Sequence, residues 1–392
     1  MLRGGWGVIG MIGHRLAAAA LALLAAVGAA GAQPARQVPV EFAIAWPEPA
    51  AARRSRHCGH HGDGCTHRSA ASPNGSTHEI VADPRGGELW VSGQNWDSLA
   101  RLRPDGTVRF LPMPAGSGPH GLDFDRAGRL WVTLEFLGRV RALDPATGRT
   151  LAEHDVRLHC RGCGAPLETH PHGLAVGADG RTIWFTGKST GTIGRISADG
   201  RVATFQLATL GSVPIYIRAG PDGNMWVTEL LGNAIARVAP DGTIDEFPIP
   251  TPNSRPIAIV PGPDGAMWFS EEAGGKIGRI DREGRITEYP IPRPQPNAIL
   301  AGLAFDGEGN LWVQQYADLG HPLPGPPPRD HLVRIDAAAL AAGPDALAPS
   351  SFAFHPVPTR ETGMHRIIAG PGNTMWFTEM HADRVGLLRL PL

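Results

Sequence analysis

Histidine recurs at one position of a repeated segment in this chain. The chain has 392 residues, of which 16 are histidine. A tryptophan-containing phrase occurs seven times, and the equivalent position near the start of each unit holds His78, His120, His172, Ile215, Ile257, Ala301 and His365. Imidazole is the commonest protein ligand of transition metals, so the four histidines predict a metal site. The alternative is that they hydrogen-bond neighbouring backbone groups.

Carboxylates recur at a second position, three residues after each tryptophan. The residues there are Gly93, Leu134, Gly187, Glu229, Glu271, Gln315 and Glu379, and Glu135 directly follows Leu134. A carboxylate at this position can ligate a metal, transfer a proton or serve as a structural residue of the repeat. Glu135 and Glu379 are the strongest candidates, because their units also carry one of the four histidines. We predict that His78, His120, His172, His365 and Glu379 are metal ligands.

All four cysteines lie in two segments that are also rich in histidine. Cys58 and Cys65 belong to HCGHHGDGCTH (57–67), whereas Cys160 and Cys163 belong to RLHCRGCGAPLETHPH (157–172). Two disulfides are the usual state of four cysteines in an exported protein, and Cys58–Cys65 with Cys160–Cys163 is the simplest of three pairings. A second metal site, such as a zinc site, is the alternative.

The composition excludes some function classes. Apolar residues make up 42% and charged residues 19% of the chain, as in soluble proteins with a large core. The formal net charge is −1, so no overall field attracts nucleic acid or an anionic membrane. The sequence also lacks the serine nucleophile elbow, the phosphate-binding loop and the haem-attachment motif.

The repeat predicts how these side chains are positioned. The seven tryptophans are Trp90, Trp131, Trp184, Trp226, Trp268, Trp312 and Trp376, with a basic spacing of about 42 residues. In unit 214–250 the segments IYIRAG, MWVTE, AIARV and TIDEFPIP each read as a short strand bounded by turn residues. Such four-stranded units bury their faces only by stacking around an axis. The sequence therefore predicts an all-β, seven-bladed β-propeller, with the four histidines on one side of one channel mouth.

The two ends of the chain are predicted to meet in the last blade. The last unit ends at VGLLRLPL without a fourth strand, and PVEFAIAWP (39–47) supplies one that copies the EFPI of residues 246–249. We predict a single propeller domain over residues 33–392. Its irregular parts are a His/Cys-rich insert (51–77), a Cys-containing insert (151–169) and a proline-rich loop (317–330).

The first 32 residues read as a cleaved signal peptide. Basic residues precede the alanine-rich apolar run 16–30, and Ala30-Gly31-Ala32 fits a signal peptidase site. The run is shorter than the roughly 20 residues that span a membrane. We therefore expect a periplasmic or extracellular protein, without a stable membrane anchor after cleavage, that is a monomer.

The repeat phrasing resembles the virginiamycin B lyase (streptogramin lyase) family. The likeness rests on IGRIDREGRITEYPIPRP (277–294), more loosely on 234–252, and on PDGAMWFSE (263–271). The resemblance implies a seven-bladed propeller and magnesium-dependent elimination that linearises a cyclic depsipeptide. Such a reaction needs a base that removes a proton α to a carbonyl and a cation that stabilises the enolate.

The resemblance also implies site residues. In the family, histidines that open the inner strand of two successive blades and a glutamate after the second tryptophan strand do this work. His78, His120 and Glu135 reproduce that order, with His120 as general base or acid and the other two as Mg²⁺ ligands or orienting groups. The family has these elements in its last two blades, and its acidic residue two places before the second histidine is Gly118 here. Without rotation, the last blade offers His365 and Glu379, and the preceding blade offers Ala301.

Three functions follow from these patterns. The first is a lyase-like enzyme that acts on an ester or lactone of a cyclic small-molecule or peptide substrate. The second is an exported metalloprotein whose histidines hold zinc or copper. The third is a non-catalytic propeller that binds a protein or glycan.

Overall fold

The chain folds into a ring of seven antiparallel four-stranded sheets. The computed structural model describes residues 37–47 and 76–391, except 160, 161, 163, 319, 323, 326 and 327. The innermost strand of each sheet contacts the innermost strands of both neighbouring sheets. The prediction of an all-β, seven-bladed propeller is confirmed.

The blades follow one another along the chain. Blade 1 contains β2 (Thr77–Ala82), β3 (Leu89–Gly93), β4 (Ser98–Leu102) and β5 (Val108–Pro112). Blade 2 contains β6 (Pro119–Phe124), β7 (Leu130–Leu134), β8 (Arg139–Leu143) and β9 (Thr150–Asp155). Blade 3 contains β10 (Pro171–Val176), β11 (Ile183–Gly187), β12 (Thr192–Ile196) and β13 (Val202–Gln206).

The remaining blades keep this order. Blade 4 contains β14 (Pro214–Ala219), β15 (Met225–Glu229), β16 (Ala234–Val238) and β17 (Ile244–Pro248). Blade 5 contains β18 (Pro256–Pro261), β19 (Met267–Glu271), β20 (Lys276–Ile280) and β21 (Ile286–Pro290). Blade 6 contains β22 (Ala298–Phe305), β23 (Leu311–Ala317), β24 (Arg329–Ile335) and β25 (Phe352–Arg360). Blade 7 contains β26 (Met364–Gly370), β27 (Thr374–Glu379), β28 (Arg384–Arg389) and the N-terminal β1 (Val40–Ala43).

The strand β1 closes the ring in blade 7, as predicted. It pairs antiparallel with β28, from Val40 opposite Leu387 to Ala43 opposite Arg384. The Phe42 ring stacks on Trp376, with centroids 5.9 Å apart. The two ends of the chain therefore share one sheet.

The repeated tryptophan lies between the inner and outer parts of its blade. In blade 4, all of β15 is buried, whereas the outer strand β17 alternates between exposed and half-buried residues. Trp226 stacks on Phe247 of β17 at 6.0 Å and donates its indole hydrogen to Asp222 in the preceding turn. A buried indole needs such a polar partner, which explains the aspartate of the recurring PDG turn.

Some insert boundaries differ from the prediction. Residues 150–155 form β9, because they pair with β8, so the irregular segment of blade 2 begins after Asp155. The proline-rich loop lies between β23 and β24, which end at Ala317 and begin at Arg329. Between β24 and β25 the structure adds a short helix, α1 (Ala337–Ala342), followed by two 3₁₀ turns that the sequence analysis missed.

The predicted signal peptide, residues 51–75 of the His/Cys-rich insert and all four cysteines lie outside the described residues. Within the part of the chain that the structure describes, no helix is long and apolar enough to cross a membrane.

Candidate functional site

The four histidines come together at one place in the ring. His78, His120, His172 and His365 lie on the innermost strands of blades 1, 2, 3 and 7, and at most 5% of each is exposed. The His120 ring is the centre of the group. Its centroid lies 3.7 Å from that of His172, 5.0 Å from that of His78 and 5.8 Å from that of His365. The sequence repeat therefore located a real cluster.

A bulge in each innermost strand shapes the histidine positions. In blade 2 the pairing with β7 shifts between Pro119 and Leu122, so His120 and Gly121 leave the regular ladder. The Gly121 amide donates instead to Thr133 Oγ1 at 2.7 Å. That hydroxyl donates to the His172 carbonyl of blade 3 at 3.0 Å. One side chain thus fixes the histidine bulges of two neighbouring blades.

Glycine follows two of the histidines because the inner strands approach closely. A Cβ on Gly121 would lie 2.4 Å from the His172 carbonyl oxygen, and one on Gly173 would lie 2.5 Å from the Ile215 carbonyl oxygen. Both contacts involve backbone, which cannot move aside easily. The Pro-His-Gly segments therefore reflect packing around the channel.

Backbone hydrogen bonds orient two of the imidazoles. His78 Nδ1 lies 3.0 Å from the Ser76 carbonyl, and His172 Nδ1 lies 2.9 Å from the Ile215 carbonyl. Donation by Nδ1 places the basic lone pair on Nε2 in both rings. A histidine can therefore both hydrogen-bond the backbone and act as a ligand or base, because the backbone hydrogen bond selects the tautomer and leaves Nε2 available.

Burial keeps three of these imidazoles neutral. Desolvation, followed by the repulsion that the protonated forms of His78 and His365 would exert on each other, lowers the pKa of His78 to about 3. Desolvation also lowers the pKa of His120 well below 6.5 and lowers that of His365. A neutral imidazole can accept a proton or ligate a metal without first losing one.

A polar layer crosses blades 1 to 3 beside the histidines. Gln94 Nε2 donates to Glu135 Oε2, and Lys188 Nζ donates to Glu135 Oε1 at 3.0 Å. The Glu135 side chain is fully buried, whereas 21% of the Lys188 side chain is exposed. Lys188 and the half-buried Gln94 therefore connect this cluster to solvent.

A buried ion pair joins the neighbouring blades 7 and 1 at the level of the histidine bulges, and its arginine reaches across the channel to blade 4. Arg366 of blade 7 binds both carboxylate oxygens of Glu79 in blade 1, and its guanidinium lies 3.6 Å from the ring centroid of Tyr216 in blade 4. Glu79 Oε1 also lies 3.3 Å from His365 Nε2. Burial opposes ionisation of Glu79, but Arg366 and His365 outweigh it and hold its pKa well below the usual value.

Two groups of side chains could each hold a metal ion. His120, Glu135 and His172 form one group, and Glu79, His120 and His365 form the other, with possible ligand atoms within 4.8 Å of one another. Each group contains two imidazoles and one carboxylate, a donor set found in zinc sites. Mg²⁺ prefers an octahedron of oxygen ligands, and the only carboxylate of each group is already paired with Lys188 or Arg366. Neither of these two groups therefore fits Mg²⁺.

Glu379, predicted as a ligand, lies in other surroundings. It ends β27 opposite Arg384 and belongs to neither group of candidate ligands among the described residues. Burial, followed by the charge of Glu41 on β1, raises its pKa to about 9. Burial also raises the pKa of the equivalent Glu229 to about 7 and that of Glu271 to about 8. These three glutamates are therefore equivalent: each is buried inside its own blade, and burial raises the pKa of each.

We expect Glu379→Gln to stabilise the protein at alkaline pH. The pKa of Glu379 rises from 4.5 to about 9 on folding, so the folded state binds the extra proton. The contribution of Glu379 to the stability of the wild type is therefore highest below about pH 4.5, where Glu379 is protonated in both states. It falls as the pH rises towards 9, because only the folded state then keeps Glu379 protonated. Urea unfolding should show that the stability of the variant relative to the wild type is greater at pH 9 than at pH 6 by about 4 kcal/mol, since each pH unit in this range contributes about 1.4 kcal/mol. A constant difference at both pH values would contradict this; Glu283→Gln, on an exposed turn, is the control.

The sequence analysis missed Glu79, Arg366, Lys188 and Gln94. Glu79 and Arg366 directly follow two of the histidines, where the other units have Gly, Ala or Tyr. Gln94 and Lys188 lie four residues after their tryptophans, the position of Glu135 in blade 2. Comparing the units at these two positions would have revealed them.

Comparison with known proteins agrees with the fold and the repeat. The virginiamycin B lyase family matches residues 160–319, a segment that contains His172 but not the other three histidines. Virginiamycin B lyase of Nocardia farcinica is 34% identical over 172 residues, which are 43% of this chain. That match spans only 54% of the relative's length.

Solved structures extend the similarity to most of the ring. Virginiamycin B lyase of Staphylococcus aureus is 28% identical with a TM-score of 0.66, covering 81% of this chain and 96% of that one. A streptogramin B lyase structure is 26% identical with a TM-score of 0.66, covering 81% of this chain and 95% of that one. The chain is thus a seven-bladed propeller related to the virginiamycin B lyase family.

Proposed function

We propose that this protein is a lyase that opens an ester or lactone linkage of a cyclic substrate by elimination. The observation that carries the proposal is the cluster of four buried histidines beside Glu135 and Lys188, in a propeller related to virginiamycin B lyase. A histidine-to-alanine variant of the Staphylococcus aureus enzyme, solved with quinupristin, is described as catalytically inactive. The substituted histidine is therefore essential for catalysis in that relative.

His120 is the proposed general base. It lies at the centre of the cluster, and burial holds its pKa well below 6.5, so the imidazole is neutral and can accept a proton at neutral pH. His78 and Glu135 are the proposed orienting groups. Glu135 fixes the Lys188 ammonium, and the His78 ring lies 5.0 Å from His120.

We expect His120→Gln to lower kcat/KM at least about 100-fold, because a positioned general base contributes roughly 10²- to 10⁴-fold. The measurement is opening of a cyclic depsipeptide ester such as quinupristin, followed by mass spectrometry. Elimination leaves the mass of the product equal to that of the substrate, whereas hydrolysis adds one water. His154→Gln, on the outer strand β9, is the control and should retain activity. Equal rates for wild type and His120→Gln, with both variants folded, would refute the assignment.

A metal-binding protein is the second candidate, and the two His₂Glu groups favour it. Zinc or copper suits these donors better than Mg²⁺ does. Elemental analysis of protein purified without chelator or affinity histidines distinguishes the candidates. Stoichiometric zinc or copper that disappears in His120→Ala/His172→Ala would favour the metalloprotein.

We also propose that the protein acts outside the cytoplasm as a monomer. The signal-like segment 1–32 supports export, and the net charge of −1 agrees with a small-molecule substrate rather than nucleic acid. N-terminal sequencing of the mature protein checks the first point. An N-terminus at Met1 in the purified native protein would contradict cleavage.

A further inference from the structure

We infer that the Lys188 ammonium is the cationic catalytic group of this site and takes the place of a divalent metal ion. The inference rests on the proposed elimination and assigns its charge-stabilising group. It depends on the position of Lys188 in the repeat, on the charges around it and on the donors that it offers.

Lys188 occupies a position that the repeat places beside the histidines. The residues four positions after the seven tryptophans are Gln94, Glu135, Lys188, Leu230, Glu272, Tyr316 and Met380. Six of them directly follow the second strand of their blade, and Tyr316 is the penultimate residue of the longer β23, so these residues occupy equivalent positions around the ring. Lys188 is the only cation among the seven, and it belongs to one of the blades that carry a histidine. The charge is therefore placed specifically on this side of the ring.

Internal ion pairs already balance the charges of the cluster. Glu135 is paired with Lys188, and Glu79 is paired with Arg366. Mg²⁺ would have to bind one of these carboxylates, which are the only oxygen ligands of the two groups, and would place two further positive charges beside a buried or half-buried cation. Because charges interact strongly where little water penetrates, the repulsion opposes such binding. The lysine thus supplies one positive charge and excludes a competing ion.

The ammonium offers the donors that the reaction needs. Lysine has three N–H donors, and Glu135 Oε1 accepts one of them. The partial exposure of Lys188 places the same ammonium at the entrance to the cluster. In the proposed complex, a carbonyl oxygen of the substrate contacts Nζ and its α-carbon lies against a histidine of the cluster.

The proposed step needs no further reactant. His120 takes the proton from the α-carbon, and the electrons of that C–H bond form an enolate whose oxygen interacts with Lys188 Nζ. A double bond then forms between the α- and β-carbons as the β-carbon–oxygen bond breaks. The ester oxygen leaves with its electron pair as part of a carboxylate, which opens the ring. The proton on the imidazole is finally released to solvent.

The inference that Lys188 opposes metal binding can be tested by a titration that does not require turnover. Titration with Mn²⁺, followed by its EPR signal, should show no saturable binding to the wild type at about 1 mM. Lys188→Met leaves the Glu135 carboxylate unpaired and should strengthen Mn²⁺ binding at least about tenfold. Tight Mn²⁺ binding by the wild type, unchanged in Lys188→Met, would overturn the inference.

Turnover tests the catalytic half. The wild type should open a cyclic depsipeptide ester equally fast with and without EDTA, and Lys188→Met should lower kcat about 100-fold with little change in KM. Lys188→Arg keeps the charge and should retain part of the activity. Lys276→Met, which removes the lysine paired with Glu288 in blade 5, is the matched control and should be unaffected. Loss of wild-type activity in EDTA, with full recovery in Mg²⁺, would overturn the inference.

A double variant separates catalysis from charge balance. Lys188→Met leaves a buried charge that could unfold the site, whereas Lys188→Met/Glu135→Gln removes both charges. If Lys188 is catalytic, the double variant is at least about 100-fold slower than Glu135→Gln alone. Equal rates for these two would show that Lys188 acts only through Glu135. If no enzyme form turns over a cyclic ester, the proposed function fails, and the Mn²⁺ titration still decides whether Lys188 excludes the metal.

Discussion

Arg366→Met is expected to lower the free energy of unfolding by about 3–5 kcal/mol. Only 3% of Arg366 is exposed, and Glu79, its partner, is equally buried. Removing the guanidinium leaves the Glu79 carboxylate charged and desolvated beside a histidine. Such an uncompensated charge costs more than the pair itself contributes.

The double variant Glu79→Gln/Arg366→Met should recover most of this loss. It removes both charges, so the remaining cost is that of altered packing against Tyr216. Arg201→Met is the control, because 86% of the Arg201 side chain is exposed and a surface pair contributes little. Urea denaturation at pH 7 measures all three. A loss below about 1 kcal/mol for Arg366→Met would mean that Glu79 is protonated or hydrated once its partner is gone.

Ile44→Asp is expected to destabilise the protein by at least about 4 kcal/mol through failure of ring closure. Ile44 is 3% exposed and packs in one cluster with Trp376, Val385 and Leu387 of blade 7. Its amide donates to the Asp383 carbonyl at 2.8 Å. An aspartate there buries an unpaired carboxylate at the junction between the chain ends.

Val40→Asp is the matched control for this prediction. Val40 lies on β1 itself, but 55% of the residue is exposed, so the same substitution should change stability by less than about 1 kcal/mol. Urea unfolding and size-exclusion chromatography give the readouts. Release of β1 exposes the edge of β28, so aggregation of Ile44→Asp is the expected second sign. Comparable stability of the two variants would show that β1 is not needed to hold the ring.

The fold was predictable because the repeat determines it locally. The segments MWVTE and AIARV, read as short strands bounded by turn residues, coincide with β15 and β16. The copy of the EFPI segment near the N-terminus predicted that β1 joins β28, since equivalent segments occupy equivalent strands. By contrast, α1 lies between strands of blade 6 and has no counterpart in the other units. Its alanine run after Asp336 was the only local signal.

The site was predictable in part. The four histidines could be grouped because equivalent positions of a ring lie at one depth. The contacts of the residues that follow the histidines could not be found in this way, because Arg366 pairs with Glu79 of the adjacent blade and contacts Tyr216 across the channel, and the repeat does not specify contacts between blades. Glu379 lies three residues after its tryptophan, whereas Glu135 lies four residues after its own, and this difference of one residue places the Glu379 carboxyl near Glu41 rather than near the histidines. Distances across the channel and side-chain directions are properties of the assembled ring.

The position of the junction between the chain ends determines when the histidine cluster can form during synthesis. Blade 7 contributes His365 and Arg366 and obtains its outer strand from residues 40–43, so the cluster straddles the point where the ring closes. A nascent chain that has completed blade 6 carries three of the histidines, but not the blade that brings His365 against Glu79. Pairing of Val40 with Leu387 is among the most non-local contacts that this chain can make, and such contacts form late in folding. The complete group of four histidines therefore forms only after blade 7 has been synthesised and the ring has closed.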